Sequence, residues 1–396
     1  MANNGIKMLE LPKLLNLEGI IKKAELGEEL NQTELGCLLT GTFGNLTTLL
    51  TFCIGKIGEP EAEKEEYVAN LNNNIRFADL IEDGKLSKPQ KQSLLGELTS
   101  VYNKAEVREK EELVSELKDI AIKTRKGAIN RKEELFLEQI EKYGSILTKL
   151  RSFRPSIRKP IVMCINKLTN GMSVSIRNGI KTMSDLEDYC YYVAGTVGEA
   201  LNEIVNIEDR ENLNRNKARS IAAYFQLNNI LSNVREDSEL REYRTKFIPI
   251  ELHEGLSYEE LIEKETKQAK NMRETVYNGF LSLANKHFIP SAQYVLEIPR
   301  RISGWKVFCG ASLILYKERQ KAMERAGSEK VFKGERSAIK VSEETARNVL
   351  TYSISSQKLD GGITYEKFFD EYRKDPDNFP FTSPEHEEWS PKWPTI

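Results

Sequence analysis

The sequence predicts an all-α protein that forms a single large helical domain. Only 24 of its 396 residues are glycine and 13 are proline, which argues against a loop-rich all-β chain. Leu, Glu, Lys, Ala and Ile are abundant, and apolar residues recur every three or four positions, the spacing of an α-helix. No repeat or linker divides the chain. We therefore predict one domain over residues 1–375 and a proline-rich tail over residues 376–396.

The first predicted helices cover residues 9–71, where apolar positions follow helical spacing. The next helix is expected to end at Asp83, because Gly84 follows it, and Ser87 is placed to cap its successor. Residues 100–145 are dense in Lys and Glu between periodic Val, Leu and Ile. We interpret them as one outer helix with a solvated face.

The character of the chain changes after two prolines that interrupt the pattern at residues 152–160. Residues 160–231 are less charged and richer in small and aromatic side chains, so they are expected to form a buried cavity wall. Residues 247–256 are predicted to be a connector. Further helices are expected at residues 258–286 and 298–325.

Composition excludes several classes of partner. The chain has 58 basic and 60 acidic residues, so no global field attracts nucleic acid. Five cysteines without CxxC pairing indicate reduced, packed thiols. No signal peptide opens the chain, and its longest apolar stretch, residues 307–316, is half of the ~20 residues that span a bilayer. We expect a cytoplasmic monomer, with peripheral membrane contact allowed.

Two acidic clusters share one spacing, i, i+3 and i+4, which places each cluster on one helical face. They are Asp79, Glu82 and Asp83, and Asn233, Glu236 and Asp237. Stacked like charges repel unless a cation lies between them, and magnesium combines one or two carboxylates with water and phosphate oxygens. Two opposed clusters would therefore bind magnesium with a diphosphate. The alternative is solvated surface charge, in a chain that is 30% charged.

Residues 189–201 are unusual for a helix, because Gly195 and Gly198 lie among small residues in mid-run. Each glycine costs roughly 0.8–1 kcal/mol relative to alanine, a cost that close approach of another group to the backbone would offset. Tight helix–helix packing is the alternative explanation. The three histidines lack metal-ligand spacing, and no glycine-rich loop after a strand supports a Rossmann nicotinamide site.

The stretch Tyr-Cys-Tyr-Tyr-Val-Ala-Gly-Thr-Val-Gly at residues 189–198 resembles the signature of the squalene and phytoene synthase family, the head-to-head prenyl synthases. Three other family motifs have similar segments in this chain: Asn170-Gly171-Met172, residues 75–83 and residues 226–237. Residues 40–43 resemble one further motif. The resemblance covers residues 38–340. It implies the isoprenoid synthase fold, with the two acidic clusters facing each other across a central apolar cavity.

The resemblance also implies a reaction: condensation of two prenyl diphosphates through a cyclopropylcarbinyl diphosphate. Both acidic clusters would hold magnesium. Arg76 would contact diphosphate oxygens, and Tyr189 would be the catalytic tyrosine, with a core tyrosine as the alternative. The remaining substrate-binding residues would be Gln226, Asn229, Gly195, Thr42 and Phe43.

The chain departs from the family at several basic and acidic positions. Where the family carries Arg-Asp-x-x-Glu-Asp, this chain has Ser232 and Asn233 in the first two places, and the first-helix arginine is Gly41. An asparagine ligates through its carbonyl oxygen without adding charge, so weaker metal binding is expected. Altered substrate preference and a weak or inactive enzyme both stay open.

Short motifs near residues 307–309, 331–334 and 339–340 resemble the squalene synthase branch. They imply farnesyl diphosphate as substrate and NADPH as reductant, with Lys333 as a cofactor-binding residue. Without the C-terminal anchor of eukaryotic members, a cytosolic form is expected. Two alternatives stay open: a phytoene- or dehydrosqualene-type synthase that needs no reductant, and a non-catalytic binding or assembly module.

Overall fold

The computed structural model describes residues 17–39, 62–105, 110–239 and 247–335, together with residues 339, 341 and 349. Within these ranges the regular elements are helices and no strand occurs, which confirms the all-α prediction. Thr42, Phe43 and the tail over residues 376–396 lie outside the described residues.

In the described ranges, seven helices precede the segment predicted to form the cavity wall. They are α1 (Leu17–Glu25), α2 (Gln32–Leu39), α3 (Ala62–Asp83), α4 (Lys88–Lys104), α5 (Lys110–Arg125), α6 (Arg131–Tyr143) and α7 (Ser145–Ser152). Helix α3 ends at Asp83 as the sequence predicts. Ser87 is the N-cap residue of α4, and its backbone N–H donates to Gln90 Oε1 at 2.9 Å.

The second group contains the longest helices. They are α8 (Pro155–Asn178), α9 (Met183–Cys190), a π-helical turn (Tyr191–Gly195), α10 (Thr196–Asp209), α11 (Arg215–Glu239), a 3₁₀ turn (Ile250–Leu252), α12 (Tyr258–Glu263), α13 (Lys267–Glu297) and α14 (Ser303–Phe332). Helix α11 is central: it packs against α10, α13, α14 and the π turn. Its completely buried Tyr224 lies between these neighbours.

The prediction of one outer helix over residues 100–145 is wrong. The structure has the end of α4, then α5 and α6, and α5 and α6 pack against each other. Asn130 causes the second break, because its side chain accepts the backbone N–H of Glu133 at 3.1 Å and caps α6. An asparagine makes this bond only in a non-helical conformation.

Two further boundaries differ from the sequence prediction. Pro155 is the first residue of α8, where its missing N–H costs nothing, and Pro160 lies inside that helix rather than between helices. The helix predicted over residues 258–286 is divided into α12 and α13, because Thr266 accepts the N–H of Ala269 at 3.2 Å and starts a new helix.

The apolar stretch at residues 307–316 lies within α14, and most of its side chains are buried. Further along the same helix come the buried polar residues Lys317 and Gln320. Among the described helices, none combines the length and apolarity needed to cross a membrane.

Candidate active site

A cavity of about 450 Å³ lies between α3, the π turn, α10, α11 and α14. This volume is within the usual range of small-molecule sites. Its polar and charged lining includes Arg76, Asp79, Glu82, Asp83, Asn233 and Asp237. Its apolar lining includes Val193, Val197, Leu201, Phe225, Trp305 and Phe308. One polar region therefore adjoins a large apolar one.

The lining changes from apolar to charged along α3. Residues Val68, Leu71 and Ile75 line the cavity in the first part of the helix, and Asp79 and Asp83 in its last turns. The spacing of three and four residues keeps these side chains on one face. The cavity wall is therefore apolar along the first part of α3 and acidic near the C-terminal end of that helix.

Helix α11 shows the same gradient in the same sequence direction. Ala218, Ile221 and Phe225 line the cavity first, and Asn233 and Asp237 follow near the C-terminal end. Both helices thus present an apolar segment and then a polar segment to one cavity.

Glu82 is the most buried member of the α3 cluster, with 4% of its surface exposed. The Tyr189 hydroxyl donates to its two carboxylate oxygens at 3.2 and 3.3 Å. Lys91 Nζ donates to the backbone carbonyl of Glu82. Beside it, Arg76 Nη1 lies 3.2 Å from Asp79 Oδ2. The cluster is therefore held in place by α4, α9 and its own arginine.

Burial and mutual repulsion raise the pKa of two acids of this cluster. Burial, with the charges of Asp83 and Asp79, raises the pKa of Glu82 to about 8. Burial also raises the pKa of Asp79 to about 6, although Arg76 opposes the shift. A carboxylate cluster that repels itself in a partly buried site is an environment that a cation stabilises.

Tyr189 is a neutral hydrogen-bond donor in this site. It is 2% exposed, and its ring lies against that of Phe247 at 4.9 Å between centroids. Burial and then the nearby carboxylates, Glu82 first among them, raise the pKa of its phenol well above the usual value. The phenol thus keeps its proton at neutral pH and donates a hydrogen bond to Glu82.

The α11 side carries amides as well as acids. Asn233 and Asp237 line the cavity, whereas Glu236 is absent from its lining. Glu236 shares a helix face with them by its spacing, and its role as a metal ligand stays a prediction. The Ser232 hydroxyl donates to the backbone carbonyl of Asn229 at 3.0 Å.

Asn229 links α11 to α14. Its side-chain oxygen accepts from the Tyr316 hydroxyl at 3.0 Å and from Arg319 Nη1 at 3.0 Å. Asn229, Tyr316 and Gln226 all line the cavity. Arg76 lies near enough to Tyr316 to oppose the rise in the pKa of that phenol. The polar residues of α3, α11 and α14 therefore meet in one region.

The donor chemistry of this region fits magnesium. Its lining carboxylates and amides are hard oxygen donors from two helices. No three carboxylate, histidine or cysteine side chains converge on a single point among the described residues. Magnesium does not need such a cage, because water and phosphate oxygens complete its shell.

The two glycines of residues 189–201 serve packing. A Cβ at Gly198 would collide with the backbone carbonyl of Ala218, so this glycine allows α10 to approach α11. Gly195 is buried but is absent from the cavity lining, and a Cβ there would lie 3.0 Å from the Tyr191 ring. The structure thus places Gly195 against Tyr191, while its role toward substrate stays a prediction.

The same stretch contains the π turn, which sequence spacing did not predict. Its wider backbone brings Val193 and Ala194 to the cavity between α9 and α10. Opposite the turn lies Gly171, where a Cβ would overlap the Tyr192 side chain. Single π turns within α-helices are frequent at functional sites.

Lys333 lies just beyond the end of α14 and away from the cavity lining. Its Nζ is 3.3 Å from Glu265 Oε1, and both side chains are about half exposed. The adjoining Gly334 approaches α11, since a Cβ there would lie 2.9 Å from Arg235 Cβ and Cγ. The structure therefore places this segment against the helix of the second acidic cluster.

Sequence reasoning missed Tyr316, Arg319, Lys91 and the contact of Phe247 with Tyr189. Tyr316 and Arg319 have no distinctive local pattern, because their partner Asn229 is about 90 residues earlier. The one signal available was the pair of polar residues at i and i+3 after the apolar run of residues 307–315.

Comparisons with known proteins agree with this architecture. The family described as squalene/phytoene synthase matches residues 60–343. Squalene synthase of Cyberlindnera jadinii is 30% identical over 118 residues, which cover 27% of this chain and 26% of that protein. A 15-cis-phytoene synthase of Enterobacter agglomerans is 28% identical over 129 residues, covering 32% of this chain and 41% of that protein.

The chain thus aligns with about a quarter of the length of the squalene synthase. A solved structure described as TcSQS with the ligand BPH1237 has the same fold, with a TM-score of 0.62 and 14% identity. That match covers 84% of this chain and 86% of the other. Since the family match spans well over half of the sequence, the chain belongs to the squalene/phytoene synthase family.

Proposed function

We propose that this protein condenses two molecules of farnesyl diphosphate head to head, through presqualene diphosphate, and reduces that product to squalene with NADPH. The observation that carries the proposal is the single cavity shared by the acidic face of α3 and the polar face of α11. Its apolar remainder suits isoprenoid chains, and its polar region suits their diphosphates.

The chain's own residues would bind and orient the substrates. Arg76 would donate to diphosphate oxygens, and the side-chain amides of Gln226 and Asn229 would donate from α11. Asp79, Glu82, Asp83, Asn233 and Asp237 would hold magnesium, with Glu236 outside the cavity lining. Magnesium, when bound, supplies positive charge that stabilises the leaving diphosphate.

The apolar lining would protect the carbocation that remains after diphosphate leaves. Phe225, Trp305 and Phe308 line the cavity and would exclude the water that quenches such a cation. The Tyr189 hydroxyl would hold Glu82 in position through the bond at 3.2 Å.

The NADPH step rests on sequence resemblance alone. Lys333, the residue predicted to bind this cofactor, lies outside the cavity lining, with its Nζ 3.3 Å from Glu265 Oε1. Its role toward NADPH stays a proposal. A cytoplasmic monomer with peripheral membrane contact likewise stays a proposal.

A product assay tests the function. Purified protein is incubated with farnesyl diphosphate and magnesium, with and without NADPH, and the lipid extract is analysed by mass spectrometry. We expect presqualene diphosphate without reductant and squalene with it. Absence of both products in both mixtures would refute the proposal.

Two alternatives have their own outcomes. A phytoene-type activity is favoured by the longer alignment with the phytoene synthase, and a product formed from geranylgeranyl diphosphate without reductant would support it. A non-catalytic binding module is favoured by Asn233 and Ser232 in the second cluster. Binding of farnesyl diphosphate without any product would support that alternative.

A further inference from the structure

We propose that Arg319 is an anion-binding residue of the cavity, which supplies positive charge to a substrate diphosphate from α14 and fixes Asn229 as a donor toward the same anion. This inference rests on the proposed function, since it assigns a new residue to the diphosphate region. Three observations support it. Arg319 forms no ion pair with a carboxylate among the described residues, it is half-buried, and it is hydrogen-bonded to Asn229, which lines the cavity.

Arg319 forms no ion pair with a carboxylate in the part of the chain that the structure describes. Its contacts there are the hydrogen bond to Asn229 and the Tyr316 ring, whose centroid lies 6.0 Å from its guanidinium carbon. The buried Arg273, 1% exposed, behaves differently, since its Nε lies 2.7 Å from Glu329 Oε1.

An uncompensated guanidinium in a partly buried position is costly. Arg319 is half-buried, and burial lowers its pKa although Tyr316 opposes that shift. The charge remains, because arginine keeps its proton throughout the physiological range. The desolvation cost is recovered if an anion approaches, which is common for arginines that recognise phosphates.

Arg319 is not itself a lining residue, but it lies directly behind two residues that are. Asn229 and Tyr316 both line the cavity, and Arg319 contacts both. Arg76 on α3 and Arg319 on α14 each oppose the rise in the pKa of Tyr316, so two cations lie near one cavity-lining hydroxyl. A diphosphate near Tyr316 would therefore lie near both.

The hydrogen bonds also settle the orientation of Asn229. Arginine only donates, so the side-chain atom of Asn229 that faces Arg319 is its oxygen. The Tyr316 hydroxyl donates to that same oxygen. The amide nitrogen of Asn229 is thus left with two N–H groups for a ligand.

Binding of inorganic diphosphate tests the inference. Calorimetry with magnesium present is carried out on the wild type, Arg319→Gln, Arg319→Lys and a control, Arg325→Gln, whose exposed side chain lies on the same helix. We expect Arg319→Gln to weaken binding about tenfold and to reduce its salt dependence, and Arg319→Lys to restore most of both. Arg325→Gln should match the wild type.

Equal affinity and salt dependence for Arg319→Gln and wild type would overturn the inference, as would a wild type that does not bind diphosphate. These results are separate from the product assay, which decides the proposed function by itself.

A second measurement covers the case in which Arg319→Gln does not fold. Wild-type protein is treated with phenylglyoxal, with and without diphosphate and magnesium, and its modified arginines are located by peptide mass spectrometry. We expect diphosphate to protect Arg319 and to leave Arg325 reactive. An Arg319 that reacts equally in both conditions, or in neither, is not an anion site.

Discussion

The α3 and α11 sides of the cavity differ in how they are charged. The α3 side has three carboxylates and Arg76, and burial, together with the charges of Asp83 and Asp79, raises the pKa of Glu82 to about 8. The α11 side has Asn233 and Asp237 beside the amide of Asn229, which is held by Arg319. One side therefore needs a cation, whereas the other combines acid with groups that suit an anion.

Under the proposed function, this difference indicates a division of metal binding and diphosphate binding between the two sides. Helix α3 would supply most of the metal binding, and α11 with α14 would contribute more to diphosphate binding.

Removing one carboxylate from each side tests the division directly. We expect Asp79→Ala to reduce kcat/KM for farnesyl diphosphate about 1,000-fold, and Asp237→Ala about 30-fold, because α3 holds most of the metal. Steady-state kinetics over a range of magnesium concentrations measures both. Asp119→Ala, an exposed acid on α5, is the control. Equal losses at Asp79 and Asp237 would contradict the division.

The charge repulsion of the α3 side predicts a pH dependence of stability without metal. Since the pKa of Glu82 is raised to about 8 in the folded protein, folding favours the protonated form, and stability falls as pH rises from about 4.5 to 8. Glu82→Gln removes this pH-dependent contribution to stability. We expect it to be more stable than wild type by roughly 3 kcal/mol at pH 8.5, with a smaller gain near pH 5.

Urea denaturation in chelator at several pH values measures this effect. Glu111→Gln, an exposed acid on α5, should follow the wild-type pH profile. If the profile of Glu82→Gln runs parallel to that of wild type, Glu82 is not a protonated acid at neutral pH.

The hydroxyl of Tyr189 joins α9 to the acidic side, so its removal should impair chemistry more than binding. We expect Tyr189→Phe to lower kcat about 30-fold with a change in KM of less than threefold. Tyr67→Phe is a matched control, because the Tyr67 hydroxyl also donates to a glutamate, Glu63, at 3.0 Å, but outside the cavity lining. An unchanged kcat in Tyr189→Phe would assign that tyrosine to the core.

Restoring an acid on the α11 side should make the two sides more alike. Asn233→Asp adds a carboxylate to the cavity lining. We expect the magnesium concentration for half-maximal activity to fall about three- to fivefold. Asn216→Asp, at an exposed position on the same helix, is the control. A higher magnesium requirement in Asn233→Asp would show that the asparagine serves the diphosphate instead.

Local patterns predicted the part of the site that lies on single helices. Asp79, Glu82 and Asp83 were placed on one face by their spacing alone, and all three line the cavity. On α11 the same spacing places Asn233 and Asp237 in the lining and leaves Glu236 outside it, because the position of α11 relative to its neighbours selects which part of the face is lined. Helical periodicity gives relative angles within a helix and not its rotation in the fold.

The contributions from distant segments were not predictable in this way. Arg319 acts through Asn229, and Glu82 is bonded to Tyr189, pairs that are 90 and 107 residues apart in sequence. The broken helices over residues 100–145 show a different limit. A capping residue such as Asn130 ends a periodic pattern without disturbing its apolar spacing.

The π turn at residues 191–195 has a consequence for how this cavity can change over evolution. Its i→i+5 hydrogen bonds accommodate one residue more than an α-helical turn, so deleting one residue would convert it to a regular α-helix and leave α10 in register, with Gly198 still against Ala218. The same deletion would reshape the part of the wall that Val193 and Ala194 line. The volume of the cavity can therefore change here through backbone length, whereas a deletion within the regular helices α3, α11 or α14 would rotate all that follows by about 100°.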